Sequence, residues 1–329
     1  MTQPVFLLGF QRSGTNMTVW TLDKSPSLTL YNENEPQAFE DYKLLPLERI
    51  KKLVGDTTTP VALLKPISDS YRLEEFTKEY EELKVIYIFR YYLDVISSYK
   101  REFNQDGYNI LKNRFKNKSF ANFEWFDGDK FVNFHSVIEK YEHGSYNDLI
   151  ALTWIEQACL LIDNQSLVNS RVLVVNYDEV CMNPEGEFTR MFEFCNLSFD
   201  SNYTKDIRVA RSQPIYCDLD PIVALNAELM YLKLCYIRDN ADKGKQVVFK
   251  NLIDATPFML SNAASIARKN SYFAAKANDE NVMESTVTIP KFDLDKLHKQ
   301  LKDTEAVAER RYQHLEELRA ALHEKNAMA

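Results

Sequence analysis

Between the apolar run Val5 to Leu8 and a helix-like segment lies Gly9-Phe-Gln-Arg-Ser-Gly14-Thr-Asn16. A loop that leaves a strand and enters a helix turns successive backbone N–H groups and a helix N-terminus toward one point, which suits an anion. A nucleotide-hydrolysing loop of this outline would carry Lys and then Ser or Thr after its second glycine; Thr15 and Asn16 stand there instead. The lysine for the terminal phosphates and the hydroxyl that holds Mg²⁺ are therefore both missing. Arg12 and Ser13 supply a charge and a hydroxyl in their place, so the loop suits phosphate binding without a metal. On this segment alone, a purely structural strand–helix turn remains an open reading.

A second anion site is expected after the strongest strand signal, Lys84 to Phe89. Arg90 follows that run at its C-terminal end, where open α/β sheets bind ligands. Ser98 falls early in the helix that starts near Leu93. An arginine at a strand end and a serine on the following helix can grip one phosphate from two sides, the guanidinium as a bidentate fork. For an isolated arginine, a surface ion pair would be the simpler account.

These residues need a scaffold of buried strands alternating with helices. Val5 to Leu8, Val61 to Leu64, Lys84 to Phe89 and Arg171 to Asn176 are short apolar runs bounded by turn residues, as buried strands are. Helical patterns follow Gly14 and span Leu73 to Leu83, Tyr146 to Ile162 and Glu185 to Cys195. The expectation is an α/β fold, a parallel sheet flanked by helices, over residues 1–220. Residues 221–329 read as a helical C-terminal extension, with helices at Ile222 to Arg238 and Leu252 to Ala277. It ends in a heptad-patterned helix over 291–325, with a seam through Leu294, Leu297, Leu301, Thr304, Ala308, Arg311, Leu315, Leu318 and Leu322. That stripe fits either a homodimeric coiled coil or a helix lying on its own domain.

Composition narrows the function. The 329 residues carry a net charge of −8, which speaks against general nucleic-acid binding. No run reaches the ~18 apolar residues of a membrane span, and the N-terminus lacks a signal-peptide pattern. Five cysteines contain no CxxC pair, so a soluble cytoplasmic protein without disulfides is expected. No metal-ligand spacing occurs, and no metal is expected. Between Glu102 and Tyr146 aromatics are dense and interleaved with Lys112, Arg114, Lys116 and Lys118. That stretch suits a lid over a sugar or aromatic acceptor, or a helical insert packed on the core.

Together the two anion motifs resemble the PAPS-dependent sulfotransferases, over roughly residues 3 to 215. Gln11-Arg-Ser-Gly-Thr-Asn16 is similar to the family's 5′-phosphosulfate loop, which implicates Gln11, Arg12, Ser13, Gly14, Thr15 and Asn16. Arg90, Asp94 and Ser98 match its 3′-phosphate motif R-x-P-x-D-x-x-x-S in register, with Tyr92 in place of the proline. Asn176-Tyr-Asp-Glu-Val180 resembles the strand end whose tyrosine meets adenine, which implies that role for Tyr177. Arg211-Ser212 resembles a late segment that reaches the cofactor. In the tyrosylprotein and glycan branch, the spacing implies Glu33 as the catalytic acid–base residue and Lys65 as the matching lysine. Neither His135 nor His143 stands where the small-molecule branch places its base.

The resemblance implies transfer of a sulfuryl group from 3′-phosphoadenosine-5′-phosphosulfate (PAPS) to a hydroxyl or amine, with a carbohydrate as the acceptor. Such a reaction asks for in-line positioning and charge stabilisation. Arg12 and Lys65 would face the charge growing on the leaving oxygen, and Glu33, or Glu35 next to it, would take the acceptor's proton. Two other readings stay open: a nucleotide or adenylylsulfate kinase with an altered loop, and a non-catalytic scaffold that retains the fold.

Overall fold

The computed structural model describes residues 2–116, 144–163, 167–168, 170–207 and 217–240. The chain divides into two compact units, Met1–Phe273 and Ala274–Ala329, and every described residue belongs to the first.

Five parallel strands form the central sheet: β1 (Gln3–Gly9), β2 (Leu28–Tyr31), β5 (Val61–Leu64), β6 (Lys84–Phe89) and β7 (Val172–Asn176), in the spatial order β2-β5-β1-β6-β7. The short strands β3 (Phe39–Glu40) and β4 (Lys43–Leu44) form a separate antiparallel pair. The helices are α1 (Thr15–Leu22), α2 (Leu47–Asp56), α3 (Leu73–Glu79), α4 (Tyr92–Lys116), α5 (Tyr146–Asp163), α6 (Tyr177–Met182), α7 (Pro184–Phe194) and α8 (Pro221–Asn240). A 3-10 turn, Ile67–Arg72, joins β5 to α3.

Strand β1 explains why the sheet is covered on both sides. Val5, Phe6, Leu7 and Leu8 are all fully buried, and alternation sends them to opposite faces. Val5 and Leu7, with Leu63, Ile86, Ile88 and Val175, pack beneath α1, α6 and α7. Phe6 and Leu8, with Leu64, Val85, Tyr87 and Val174, pack against α4, α5 and α8. Burying one such side chain is worth about 1.5–3 kcal/mol, so this strand anchors both halves of the core.

Two helices near the rim have a local reason to start where they do. The Asn176 side chain accepts from the Asp178 N–H and caps α6. Asn183 caps α7 in the same way, with Pro184 at its first position. Helix α4 is interrupted at Asn104, whose φ of 44° and ψ of −136° are non-helical.

The expected parallel sheet flanked by helices is what the structure has. Sequence reading missed β2, an edge strand whose Leu28-Thr-Leu-Tyr pattern is short and half-polar. It also missed α2 and the β3–β4 hairpin. Helix α8 packs into the sheet's helical cover through Val223, Ala227 and Met230. The expected helix Leu252 to Ala277 and the heptad segment 291–325 lie outside the described residues.

Candidate active site

The C-terminal ends of β1, β2, β5, β6 and β7 share one rim, and every described candidate residue lies on it or on the segment leaving it. At the end of β1, Gly9 has a φ of 139°, and a Cβ there would come within 2.1 Å of the Ile88 carbonyl oxygen. Only glycine lets the chain leave the sheet so close to β6. The loop then passes through Arg12, held at a φ of 68°, a left-handed conformation that costs a non-glycine residue about 1–2 kcal/mol. Gly14, with a φ of 89°, opens into α1. A Cβ on Gly14 would meet the Tyr177 ring at 1.9 Å, so the glycine is what allows that ring to lie on the loop.

Inside the loop, the Ser13 side chain is fully buried and its Oγ has no hydrogen-bond partner. A buried hydroxyl without a partner is costly in a folded protein, and one inside an anion cradle is explained by a ligand. Arg12 leans away from the loop toward α4: its Nε donates to Ser98 Oγ at 3.2 Å, and its Nη2 pairs with Glu102 at 3.1 Å. Gln11 is half-buried and Thr15 is buried where α1 begins.

Arg90 emerges from β6 with its guanidinium 4.9 Å from the centre of the Tyr177 ring, a cation–π contact. Asp94, one turn along α4, is 3.8 Å away. Arg90 Nε is buried without a hydrogen-bond partner. The group therefore keeps a donor in reserve, as a phosphate-binding arginine needs. Burial pushes the Tyr177 phenol well above its ordinary value, so it stays neutral at all working pH. Tyr92, at the position of the motif's proline, is buried and packs beside Tyr91 at 4.8 Å and Trp154 at 5.9 Å.

On the other half of the rim, the pairing of β2 with β5 continues as the Lys65 N–H donates to the Tyr31 carbonyl at 3.3 Å. This register sets Lys65 beside the turn that carries Glu33. Lys65 Nζ donates to Glu33 Oε2 at 2.6 Å and to Asn16 Oδ1 at 2.5 Å. The Lys65 side chain is only 4% exposed, against 21% for Glu33. A buried ammonium is thus shared between a carboxylate and the first turn of α1, directly after the loop. Among the described residues, Glu35 contributes only backbone hydrogen bonds.

Two segments extend this side outward. The hairpin β3–β4 follows Glu33, and the 3-10 turn follows Lys65. Asp69 joins them, accepting from the Leu44 N–H at 2.7 Å, with Lys43 Nζ 3.5 Å away. Ser70 Oγ lies 3.1 Å from both the N and the O of Gly9, fixing the turn to the mouth of β1. Lys43 Nζ sits 5.3 Å from the Tyr71 ring centre. Tyr42, at a φ of 61°, and Tyr71 are exposed.

The structure thus joins Arg12 to Ser98, Arg90 and Gly14 to Tyr177, and Glu33 to Lys65 and Asn16. Arg211, Ser212, His135 and His143 lie outside the described residues. Of the aromatic stretch, Phe103, Tyr108, Phe115 and Tyr146 pack into or against the core, and residues 117–143 are outside the description. Glu102 went unread, although Asp94, Ser98 and Glu102 recur every four residues along α4, continuing the spacing from Arg90 just before it, a visible signal. Among the described residues no group of three or more His, Cys, Asp or Glu could hold a metal.

A sulfotransferase-domain family model matches residues 2–213. No curated protein matches the sequence. Among solved structures, the chain is similar to the sulfotransferase domain of the Synechococcus PCC 7002 olefin synthase, at 15% identity and a TM-score of 0.43, covering 70% of this chain and 95% of that one. It is similar to a sulfotransferase from Alicyclobacillus acidocaldarius at 11% identity and a TM-score of 0.42, covering 73% and 94%. A mouse sulfotransferase, SULT7A1, complexed with PAP matches at 15% identity and a TM-score of 0.38, covering 68% and 71%.

Proposed function

The chain belongs to the sulfotransferase family, and from that premise we propose that it transfers a sulfuryl group from PAPS to a hydroxyl or amine of a carbohydrate acceptor. The observation that carries this reading is the Glu33–Lys65–Asn16 chain, which ties a carboxylate and an ammonium to the end of the anion loop.

The unpartnered donors Ser13 Oγ and Arg90 Nε, and the Tyr177 ring seated on Gly14, fit a nucleotide with anions at two positions. Ser13, Gly14, Thr15 and Asn16 would cradle the 5′ end, with Gln11 beside them. Arg90 and Ser98 would meet the 3′-phosphate and Tyr177 the adenine, while Arg12, with Lys65, would answer the charge growing on the leaving oxygen. Arg211 and Ser212 join this set by resemblance. When bound, PAPS supplies the sulfuryl group.

Glu33 is placed to take the acceptor's proton at its carboxylate. Protonation removes the counter-charge from Lys65, whose ammonium is then free to answer the negative charge growing at the loop. One proton transfer thus switches on the electrostatic stabilisation, a large source of rate acceleration in a site shielded from water. Tyr42, Lys43 and Tyr71, on the segments that leave Glu33 and Lys65, supply exposed rings and a cation suited to a sugar. We assign no metal to the reaction.

Five cysteines with no disulfide among them fit a cytoplasmic location, and no described helix is long and apolar enough to cross a membrane. The heptad pattern of 291–325 supports a homodimer, which light scattering on the full chain and on a chain ending at 290 would test.

The function is tested by incubating the full chain with labelled PAPS and a panel of oligosaccharides in the presence of EDTA. Labelled product is expected. Its absence, together with stabilisation by ATP and Mg²⁺ but not by adenosine 3′,5′-bisphosphate, would instead favour a kinase.

A further inference from the structure

Helix α8 lies beyond the residues that the family model matches, yet its side chains close on the backs of Arg90 and Tyr177. The buried Tyr231 ring stands edge-on to Phe89 at 5.8 Å and to Tyr91 at 4.9 Å, the two neighbours of Arg90 in the chain. Its hydroxyl accepts from Asn176 Nδ2 at 3.2 Å. Asn176 immediately precedes Tyr177 and caps the helix that Tyr177 opens. One side chain therefore touches the neighbours of both partners in the Arg90–Tyr177 contact.

Glu228, one turn earlier, takes the same turn from the side. Its Oε2 accepts from Tyr91 Oη at 3.2 Å, and Tyr92 is a second hydrogen-bond partner. Tyr91 is the single residue between Arg90 and α4, and Tyr92 opens that helix. Locally the junction has the Val95 N–H donating to the Tyr91 carbonyl at 3.2 Å and the Tyr91–Tyr92 ring contact. The two hydroxyls pinned by one carboxylate and the rings packed on Tyr231 and Trp154 stiffen it from outside.

We propose that Tyr231 and Glu228 are positioning residues that hold Arg90 and Tyr177 in register, so that recognition of the 3′-phosphate depends on a helix outside the family domain. The proposal rests on the nucleotide reading above. An arginine fork and a ring that must meet one ligand together tolerate little misplacement, and about 1 Å can cost two orders of magnitude.

The test is calorimetric titration of the full chain with adenosine 3′,5′-bisphosphate and with AMP, alongside melting temperatures. Wild type is expected to prefer the bisphosphate. In Tyr231→Leu the preference should fall about ten-fold or more, while Tyr231→Phe, which keeps the ring, should restore most of it. A residue that only supports the fold would lower the melting temperature and leave the ratio of the two affinities unchanged. If Tyr231→Leu does not fold, the double variant Tyr91→Phe/Glu228→Gln keeps the ring packing and removes the hydrogen bond that pins Tyr91. Its preference should fall by about three-fold or more, the loss of one ordinary hydrogen bond. A folded variant with the wild-type ratio overturns the positioning role alone. A wild type that binds AMP and the bisphosphate equally takes the nucleotide reading down with it.

Discussion

Glu33 and Lys65 leave neighbouring strands, β2 and β5, and meet as one carboxylate and one ammonium at 2.6 Å. Arg90 and Tyr177 also leave neighbouring strands, β6 and β7, but the arginine finds a ring and a distant Asp94 at 3.8 Å, with one nitrogen unpartnered. The first pair is electrically closed, and in the proposed reaction a proton opens it. The second is left open, and in the same proposal an anion fills it. The supports differ as well. Short turns and the hairpin brace the β2–β5 side locally, whereas the β6–β7 side leans on rings from α8. On the proposed reading, a site for chemistry and a site for affinity are built on one rim by opposite treatment of charge.

Breaking the closed pair should give the largest effect. Glu33→Gln keeps an oxygen for Lys65 but cannot take a proton, and transfer should fall about 10²- to 10⁴-fold while the bisphosphate still binds. Single-turnover assays with labelled donor check this. Equal loss in Glu35→Gln, with Glu33→Gln unaffected, would move the base by two residues. Lys65→Ala should lose transfer too, and destabilise the fold by leaving Glu33 without its cation.

Breaking the open site should cost affinity more than rate. Arg90→Ala is expected to remove the preference for the bisphosphate over AMP, about ten- to a hundred-fold for a charged hydrogen-bonding group. Gly14→Ala attacks the same side by shape, because the new methyl must displace the Tyr177 ring at a φ of 89°. Weaker bisphosphate binding and a melting temperature lower by several degrees should follow, read by calorimetry and thermal shift.

A smaller change sharpens the comparison. Glu102 is half-exposed and pairs with Arg12, so Glu102→Gln should free the guanidinium and tighten bisphosphate binding only a few-fold, as exposed pairs are weak.

The smallest effect concerns pH. Burial raises the Glu228 carboxyl above its ordinary value of 4.5, against the opposing hydrogen bonds from Tyr91 and Tyr92. A raised carboxyl favours the fold while protonated, so its contribution is complete below about pH 4.5 and is lost as pH rises through the folded value. Compared with Glu228→Gln, wild type should lose stability as pH rises above about 4.5, and parallel melting curves of the two proteins would refute this.

The open site was largely legible in the sequence because its core is local. Gly9 to Asn16 is one strand–loop–helix, and Arg90 with Ser98 is one strand–helix junction, so spacing alone brings their residues together. The contact of Glu33 with Lys65 was reached only through resemblance. Its physical cause is the register of β2 on β5, and β2 is too short and polar to announce itself. The ring of Tyr177 on Gly14 follows from packing between distant segments. Tyr231 carried no signal at all, since a tyrosine within an apolar helix reads as core. The change of pattern after Asp220 marks the start of the helical extension, yet the first helix beyond it still supports the sheet.

Strand β1 carries one more implication, for how the molecule is made. It precedes every other strand of the sheet in the chain and sits in its middle, yet its partners are Val61–Leu64 on one side and Lys84–Phe89 on the other. Neither edge can be satisfied by a neighbouring hairpin, and parallel pairing of distant segments is slow to form. The four fully buried residues Val5 to Leu8 must therefore stay exposed until both partners have been synthesised. That interval is when the nascent chain is most prone to aggregate, and slowing translation between residues 10 and 60 should lower the yield of folded protein more than the same delay placed after residue 90.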